Sequence, residues 1–148
     1  MEADMPDAPG ACRRGTAAWV KGKLDLAIQR FTEAIQLDPT YAPAYCNRGT
    51  VYLEKGDYAR ALADFDEAIR LRSDYARVHN NLGVLYRKLG QWEKAVKAYS
   101  RAIQIDPEYA EAYYNRAVAY ERLHEPAKAE ADEAKHRQLR ARPKRPPR

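Results

Sequence analysis

Apolar and polar residues follow each other along most of this chain with helical spacing. Residues 42–75 contain two apolar stripes, made of Tyr45, Gly49 and Tyr52 and then of Ala61, Phe65, Ala68 and Ile69. Residues three or four positions apart share one side of an α-helix, so the segment predicts two amphipathic helices. Between the stripes, Gly56 can end the first helix in the left-handed conformation, and Asp57 can cap the second.

The same pattern returns along the chain at a constant interval and without a gap, as Tyr52, Tyr86 and Tyr120 show. It predicts four units, about three of them complete and the first degenerate, at residues 8–41, 42–75, 76–109 and 110–140. Proline follows aspartate at the end of two units, at Pro39 and Pro107, where it opposes helix continuation. One such helix pair cannot bury its apolar faces alone, so the units must stack. We therefore expect an all-α solenoid.

The residues of one unit carry a family resemblance. The pattern A-Y-x-N-x-G-x-x-Y-x-x-x-G-x-x-x-x-A-x-x-x-F-x-x-A-I-x-L, from Ala44 to Leu71, resembles the tetratricopeptide repeat (TPR), and residues 16–139 follow it. The resemblance implies a right-handed superhelix of antiparallel helix pairs. It also implies that the first helix of each pair lines a concave groove that binds peptides or partner helices.

The ends of the chain depart from this pattern. Ala11 and Arg14 stand where an aromatic residue and a leucine are expected, which predicts a short or frayed first helix and a poorly ordered segment 1–15. In the last unit Glu133 and His136 replace an aromatic and a small residue, so the final helix is predicted to be a polar cap. The solenoid is thus expected over residues 16–140. Residues 141–148 hold three prolines and nothing large and apolar, and they predict a disordered basic tail.

The net charge of +5 is concentrated at one end of the chain. From Lys135 to Arg148 there are seven basic residues and no acid, whereas the preceding part of the chain, 1–134, holds 19 bases and 21 acids. A nearly neutral body favours a protein-binding surface, and a nuclear or nucleic-acid-associated role through the basic tail is the alternative. No apolar run is long enough to cross a membrane, and the start has no secretory pattern, so we expect a cytoplasmic protein, with the nucleus as an alternative location.

The sequence offers little material for catalysis or for a metal site. Its two serines, Ser73 and Ser100, lie in no nucleophile or phosphate-loop motif. Glu133 and His136 have the spacing of two metal ligands on a helix, but a second such pair is missing. The two cysteines, Cys12 and Cys46, form no CxxC and are expected to be reduced thiols. We therefore expect no enzyme activity, no metal and no cofactor.

Three asparagines, Asn47, Asn81 and Asn115, share one phase of the first helices. An amide offers one acceptor and two donors, which complement the main chain of a peptide, although a solvated polar position of the family explains the series equally well. We predict that these amides point into the groove and hold an extended peptide of about six residues. The predicted groove also includes Cys46, Thr50, Arg77, Asn80, Val84, Arg87, Tyr114 and Val118.

Some members of the family bind the C-terminal carboxylates of chaperones through a clamp of lysine, asparagine and arginine. The matching positions here are Cys46, Thr50, Glu111 and Asn115, or, one unit earlier, Cys12, Thr16, Arg77 and Asn81. Only one cation remains in the second set, so this partner is disfavoured. The expected function is a scaffold or adaptor for a protein or peptide partner. An accessory repeat of a larger enzyme or complex is a further alternative.

Overall fold

The computed structural model describes residues 5–143, and this part of the chain forms eight α-helices and no strand. The helices are Ala8–Val20 (α1), Leu24–Leu37 (α2), Ala42–Lys55 (α3), Tyr58–Leu71 (α4), Ala76–Lys88 (α5), Trp92–Ile105 (α6), Ala110–Arg122 (α7) and Pro126–Arg140 (α8). The chain divides into two compact units, Met1–Asn81 (unit 1) and Leu82–Arg148 (unit 2), with the boundary inside α5. The predicted all-α fold of antiparallel helix pairs is confirmed.

Within each unit, helices that follow each other along the chain pack together. In unit 1, α1 packs on α2 and α3 on α4, while α3 also contacts both α1 and α2. In unit 2, α7 packs on α8 and on α6. Each of the four predicted repeats contains one pair of helices. The first helix of each pair begins at the same position of the repeat, at Ala8, Ala42, Ala76 and Ala110.

The turn inside a repeat uses a residue with positive φ. Gly56 ends α3 in the left-handed conformation (φ 83°), and the Asp57 carboxylate then accepts a hydrogen bond from the Arg60 amide (3.2 Å). Both predicted roles are confirmed. His124 takes the same conformation (φ 58°) at the end of α7, where a residue with a Cβ is strained.

The expectation of a short or frayed first helix is wrong. Helix α1 has 13 residues, as many as α5 and α7, and begins at Ala8 rather than near residue 16. The Asp7 carboxylate caps it by accepting from the Gly10 amide (2.7 Å), and Pro9 lies in the first turn, where a missing N–H costs nothing. These local signals compensate for the missing aromatic residue, and Ala11 is fully buried.

The last helix ends at Arg140, followed by a turn at residues 141 and 142. The Arg142 guanidinium reaches the Glu108 carboxylate (2.6 Å), and both side chains are exposed. Such exposed pairs contribute little to stability. The remainder of the predicted disordered tail, residues 144–148, lies outside the described residues.

In three of the four repeats, the close approach of the two helices depends on a glycine of the first helix that faces an aromatic ring of the second. Gly15 faces Phe31, Gly49 faces Phe65 and Gly83 faces Tyr99; a Cβ at Gly49 would stand 2.8 Å from Phe65 Cε1. All three rings are fully buried. In the last repeat Ala117 and Glu133 take the two positions, so the glycine is lost together with the ring that required it.

In the second and fourth repeats, an ion pair also joins the two helices of the pair. Arg48 on α3 pairs with the buried Asp64 on α4 (2.7 Å) and donates to Thr32 Oγ1 on α2 (3.2 Å). Two repeats later, in unit 2, Arg116 pairs with Asp132 (2.7 Å) and donates to Ser100 Oγ (3.1 Å). The repeat between them has Leu82 and Ala98 instead, so an apolar pair replaces the ion pair.

Tyr99 occupies the position of Phe31 and Phe65 but adds a hydroxyl. Among the described residues, that hydroxyl is the buried side-chain polar atom without a hydrogen-bond partner. Burial raises the pKa of Tyr99 to about 12; the Arg87 charge lowers this pKa slightly and the Glu111 charge raises it. A buried polar group with no partner costs about 1–3 kcal/mol, so the hydroxyl is expected to weaken the fold.

We predict that Gly83→Ala destabilises the protein by about 1–3 kcal/mol through overpacking against the Tyr99 ring. Helix propensity alone predicts the opposite, a gain of up to about 1 kcal/mol. Urea unfolding followed by circular dichroism measures the difference. A second change, Tyr99→Leu, should restore part of the loss in the double variant. A gain in stability on Gly83→Ala would show that the helices do not touch there.

We also predict that Tyr99→Phe leaves the free energy of unfolding unchanged or raises it at pH 7. Above pH 10 the unfolded wild type loses the Tyr99 proton, whereas the folded protein keeps it up to about pH 12. Wild-type stability must therefore fall as pH rises from 10 to 12, by up to about 1.4 kcal/mol per pH unit from this group. The Phe variant should fall less over that window. Parallel pH profiles for the two proteins would contradict the assignment.

Candidate peptide-binding surface

The first helix of each repeat carries a set of residues at spacings of 3, 4 and 3, which place them on one side of the helix. We call these sets the first-helix stripes. They are Pro9, Cys12, Thr16 and Trp19 on α1; Pro43, Cys46, Thr50 and Leu53 on α3; Arg77, Asn80, Val84 and Arg87 on α5; and Glu111, Tyr114, Val118 and Glu121 on α7. Most of the residues predicted to line the groove are members of these stripes.

In unit 1 the asparagine ladder joins neighbouring first helices to each other. Asn47 Nδ2 on α3 donates to Cys12 Sγ on α1 (3.3 Å). Asn81 Nδ2 on α5 donates to Thr50 Oγ1 on α3 (3.0 Å) and lies 3.8 Å from Cys46 Sγ. Each amide therefore bonds to the stripe of the preceding repeat, and the ladder stabilises the stacking of repeats.

An amide that points into an open groove is exposed to solvent when no ligand is bound, and for Asn47 and Asn115 that expectation is wrong. Asn47 and Asn115 are only 8% and 6% exposed, and Asn81 is half-buried. Helical phase identifies the side of a helix but not what covers it, and here the adjacent first helix covers the asparagines of unit 1. The prediction that these amides bind a peptide directly stays a prediction, and it now requires them to exchange partners.

Arg77 is an exposed cation on the α5 stripe, close to the ladder. Its Nη2 donates to Asn47 Oδ1 (2.8 Å) and to Tyr75 Oη (2.6 Å), and its guanidinium lies over the Tyr75 ring. Among the described residues, Arg77 forms no ion pair. Neutral groups thus fix the direction of the guanidinium and leave its charge uncompensated, which suits an acceptor supplied by a ligand.

The two thiols belong to the first-helix stripes of α1 and α3. Cys12 and Cys46 are free and buried. Burial raises the pKa of both thiols, and the nearby Arg77 charge opposes this effect only in part. They are therefore protonated at neutral pH and act as small packing residues and weak acceptors for the asparagines.

The other predicted groove residues differ in accessibility. Asn80 is buried and bonded, Thr50, Val84, Arg87 and Val118 are half-buried, and Tyr114 is 50% exposed. The Tyr114 ring tilts against His136 of α8, with 5.2 Å between the ring centroids. The residues available to a ligand are thus mainly Arg77, Tyr114 and the half-buried members of the stripes.

Sequence reasoning missed the Arg48–Asp64 and Arg116–Asp132 pairs, although a signal for them exists. Two repeats carry an arginine on the first helix and an aspartate at one fixed distance along the chain, and the repeat between them carries neither.

His79 is buried, and its Nε2 hydrogen-bonds with the Ser73 carbonyl (3.0 Å), a role beyond the packing that its alignment with Tyr45 indicates. Tyr45 donates to the Pro39 carbonyl (3.0 Å) from the same position one repeat earlier.

The described residues gather no group of three or more His, Cys, Asp or Glu side chains that could hold a metal ion. None of the helices found in residues 5–143 has the length and apolar character needed to cross a membrane.

Comparisons with known proteins point to one repeat family. The family model described as TPR repeat matches residues 20–56, 49–90 and 85–123. The fold is similar to the crystal structure of MamA, with a TM-score of 0.81 and 27% identity over 94% of this chain and 81% of that chain. It is also similar to the first TPR of Spaghetti (RPAP3) bound to the HSP90 peptide SRMEEVD, with a TM-score of 0.75 and 26% identity over 79% of this chain and 93% of that chain. A search of curated proteins finds no match.

We predict that Asn47→Ala and Asn81→Ala each lower the free energy of unfolding by about 1–3 kcal/mol, because each leaves a buried or half-buried partner without its hydrogen bond. Urea unfolding provides the measurement. Gln36→Ala, which removes an exposed amide on α2, is the control and should stay within about 0.5 kcal/mol of wild type. Variants as stable as the control would return the asparagines to the solvent-facing role first expected.

Proposed function

The chain belongs to the tetratricopeptide repeat family, and we propose that it acts as a non-catalytic module that binds an extended segment of a partner protein against its first-helix stripes. Domains of this family bind peptide partners, and the matched RPAP3 domain is bound to a peptide. The observation that carries the proposal is Arg77, an exposed guanidinium oriented by Asn47 and Tyr75 and left without a carboxylate among the described residues.

The stripes supply the other contacts that an extended peptide needs. Thr50 and Asn81 offer polar atoms beside Arg77, and partly exposed apolar residues such as Leu53 can contact ligand side chains. The buried ladder gives these groups a fixed spacing. The stripes of unit 1 carry few charged groups, so we expect them to bind mainly the main chain of the ligand. Their selectivity for the sequence of the ligand should therefore be modest.

A chaperone C-terminal carboxylate remains a disfavoured ligand. Two positions that would need a cation hold Cys12 and Cys46, whose buried, protonated thiols cannot neutralise a carboxylate. We expect the peptide SRMEEVD, which the RPAP3 domain binds, to have much lower affinity for this protein than peptides selected on the protein itself.

We predict that selection of a phage-displayed dodecapeptide library on the full chain yields peptides whose binding depends on α5. Replacing Arg77 and Arg87 by alanine should weaken a selected peptide by about tenfold, since hydrogen bonds to charged groups contribute about 1.5–3 kcal/mol each when well formed. Isothermal titration calorimetry measures the affinities. The free SRMEEVD peptide is titrated in the same series.

The matched control replaces Arg70 and Arg101, two exposed arginines on the second helices α4 and α6. It removes the same charge, so steering by net charge is equal in both double variants. If the control weakens the selected peptides as much as the α5 variant does, or if no peptide is enriched, the first helices are not the binding surface.

A further inference from the structure

The stripe of α7 differs in chemistry from the other three. Glu111, Tyr114, Val118 and Glu121 lie on one side of the helix, with both carboxylates exposed and the Tyr114 ring 50% exposed between them. The corresponding positions of α1 and α3 carry no charge, and those of α5 carry two arginines. An aromatic face beside two carboxylates is a surface that attracts a cation.

The two carboxylates are not engaged in salt bridges within residues 5–143. Neither Glu111 nor Glu121 forms an ion pair among the described residues. Glu111 lies in the first turn of α7, where the helix dipole favours an acid, but Glu121 lies in the last turn, where the dipole disfavours one. The helix dipole therefore accounts for an acidic residue at position 111 but not for one at position 121.

Two arginines of α7 are engaged by other groups of unit 2. The Arg116 guanidinium pairs with Asp132, and that of Arg122 lies over the Trp92 ring (4.9 Å). The Arg87 and Glu111 charges change the pKa of Tyr99 in opposite directions, so Arg87 offsets part of the effect of the charge at the start of the stripe. Towards the other end of the stripe, the Tyr114 ring contacts His136 of α8 but stays 50% exposed, and Glu121 is exposed.

We propose that the α7 stripe selects partners by binding the basic side chains of the ligand segment, with one Arg or Lys over the Tyr114 ring beside Glu111 and a second at Glu121. This rests on the proposed function and gives the partner a chemical class, a segment with basic residues. At about 1.5 Å per residue, Tyr114 and Glu121 are roughly 10 Å apart along α7. An extended chain spans that distance in about three residues, so the matching pattern is Arg-x-x-Arg.

The test uses three acetylated and amidated nonapeptides built on one Ala/Ser sequence, with Arg, Gln or Glu at the fourth and seventh positions. Each is titrated into the full, 15N-labelled chain at low salt, and the amide shifts of Glu111, Tyr114, Val118 and Glu121 are followed by NMR. We expect the Arg peptide to bind about tenfold more tightly than the Gln peptide and the Glu peptide to bind most weakly. Added salt should reduce the preference.

Variants separate the ring from the carboxylates. Tyr114→Leu should lose a few-fold of the Arg preference, whereas Tyr114→Phe, which keeps the ring face, should retain it. Glu111→Gln with Glu121→Gln should lose most of the preference. The control, Glu93→Gln with Glu130→Gln, removes two exposed carboxylates from α6 and α8 and should behave like wild type. Melting curves check that each variant is folded.

Equal affinity of the Arg and Gln peptides, or loss of the preference in the α6 and α8 control, overturns the inference. If the phage-selected peptides depend on Arg77 and Arg87 but show no Arg preference at α7, the inference fails and the proposed function stands. If the Arg peptide binds α7 while no selected peptide depends on the first helices, the proposed function fails and the basic-residue site on α7 stands. Failure of every peptide to bind overturns both.

Discussion

The contact between a glycine of the first helix and an aromatic ring of the second is the constraint on which three of the four helix pairs depend. A side chain at Gly15, Gly49 or Gly83 would occupy the space of the ring, so the two helices can approach closely only where the first has no Cβ. Glycine costs up to about 1 kcal/mol in a helix, and the burial of a large ring offsets that cost. The last repeat has Ala117 and Glu133 at these positions, so the glycine and the ring are replaced together.

Beside this contact, equivalent positions of the repeats carry either an ion pair or a pair of apolar side chains. Arg48–Asp64 and Arg116–Asp132 join their helices by charge-assisted hydrogen bonds, and Leu82 with Ala98 fills the equivalent positions with apolar side chains. Buried ion pairs cost desolvation that their attraction only partly offsets, so the exchange can be close to neutral in stability. What the ion pairs add is direction, because the arginine also bonds to Thr32 or Ser100 of the preceding second helix.

The period of the sequence pattern was sufficient to predict the helices and the turns, because both depend on local spacing and on residues such as Gly56 and Asp57. It was insufficient for α1, where comparison with later repeats outweighed the capping signals of Asp7 and Pro9. It was also insufficient for Asn47, since a repeat pattern gives the phase of a residue but not the neighbour that covers it. The unpaired hydroxyl of Tyr99 could not be predicted, because the environment of a buried ring is a property of the packed chain.

The repeats of this chain contain positions that stay constant and positions whose chemistry changes from one repeat to the next. Asparagine recurs at 47, 81 and 115, and in unit 1 its amides bond one first helix to the next. The stripe position just before it changes from Cys46 to Asn80 to Tyr114, and the charge of the stripes changes from none to basic to acidic. A position needed equally by every repeat for stacking would vary less. The stripes therefore differ in chemistry from one repeat to the next, while in unit 1 the bonds of Asn47 and Asn81 to the preceding stripe fix the spacing at which those side chains are presented.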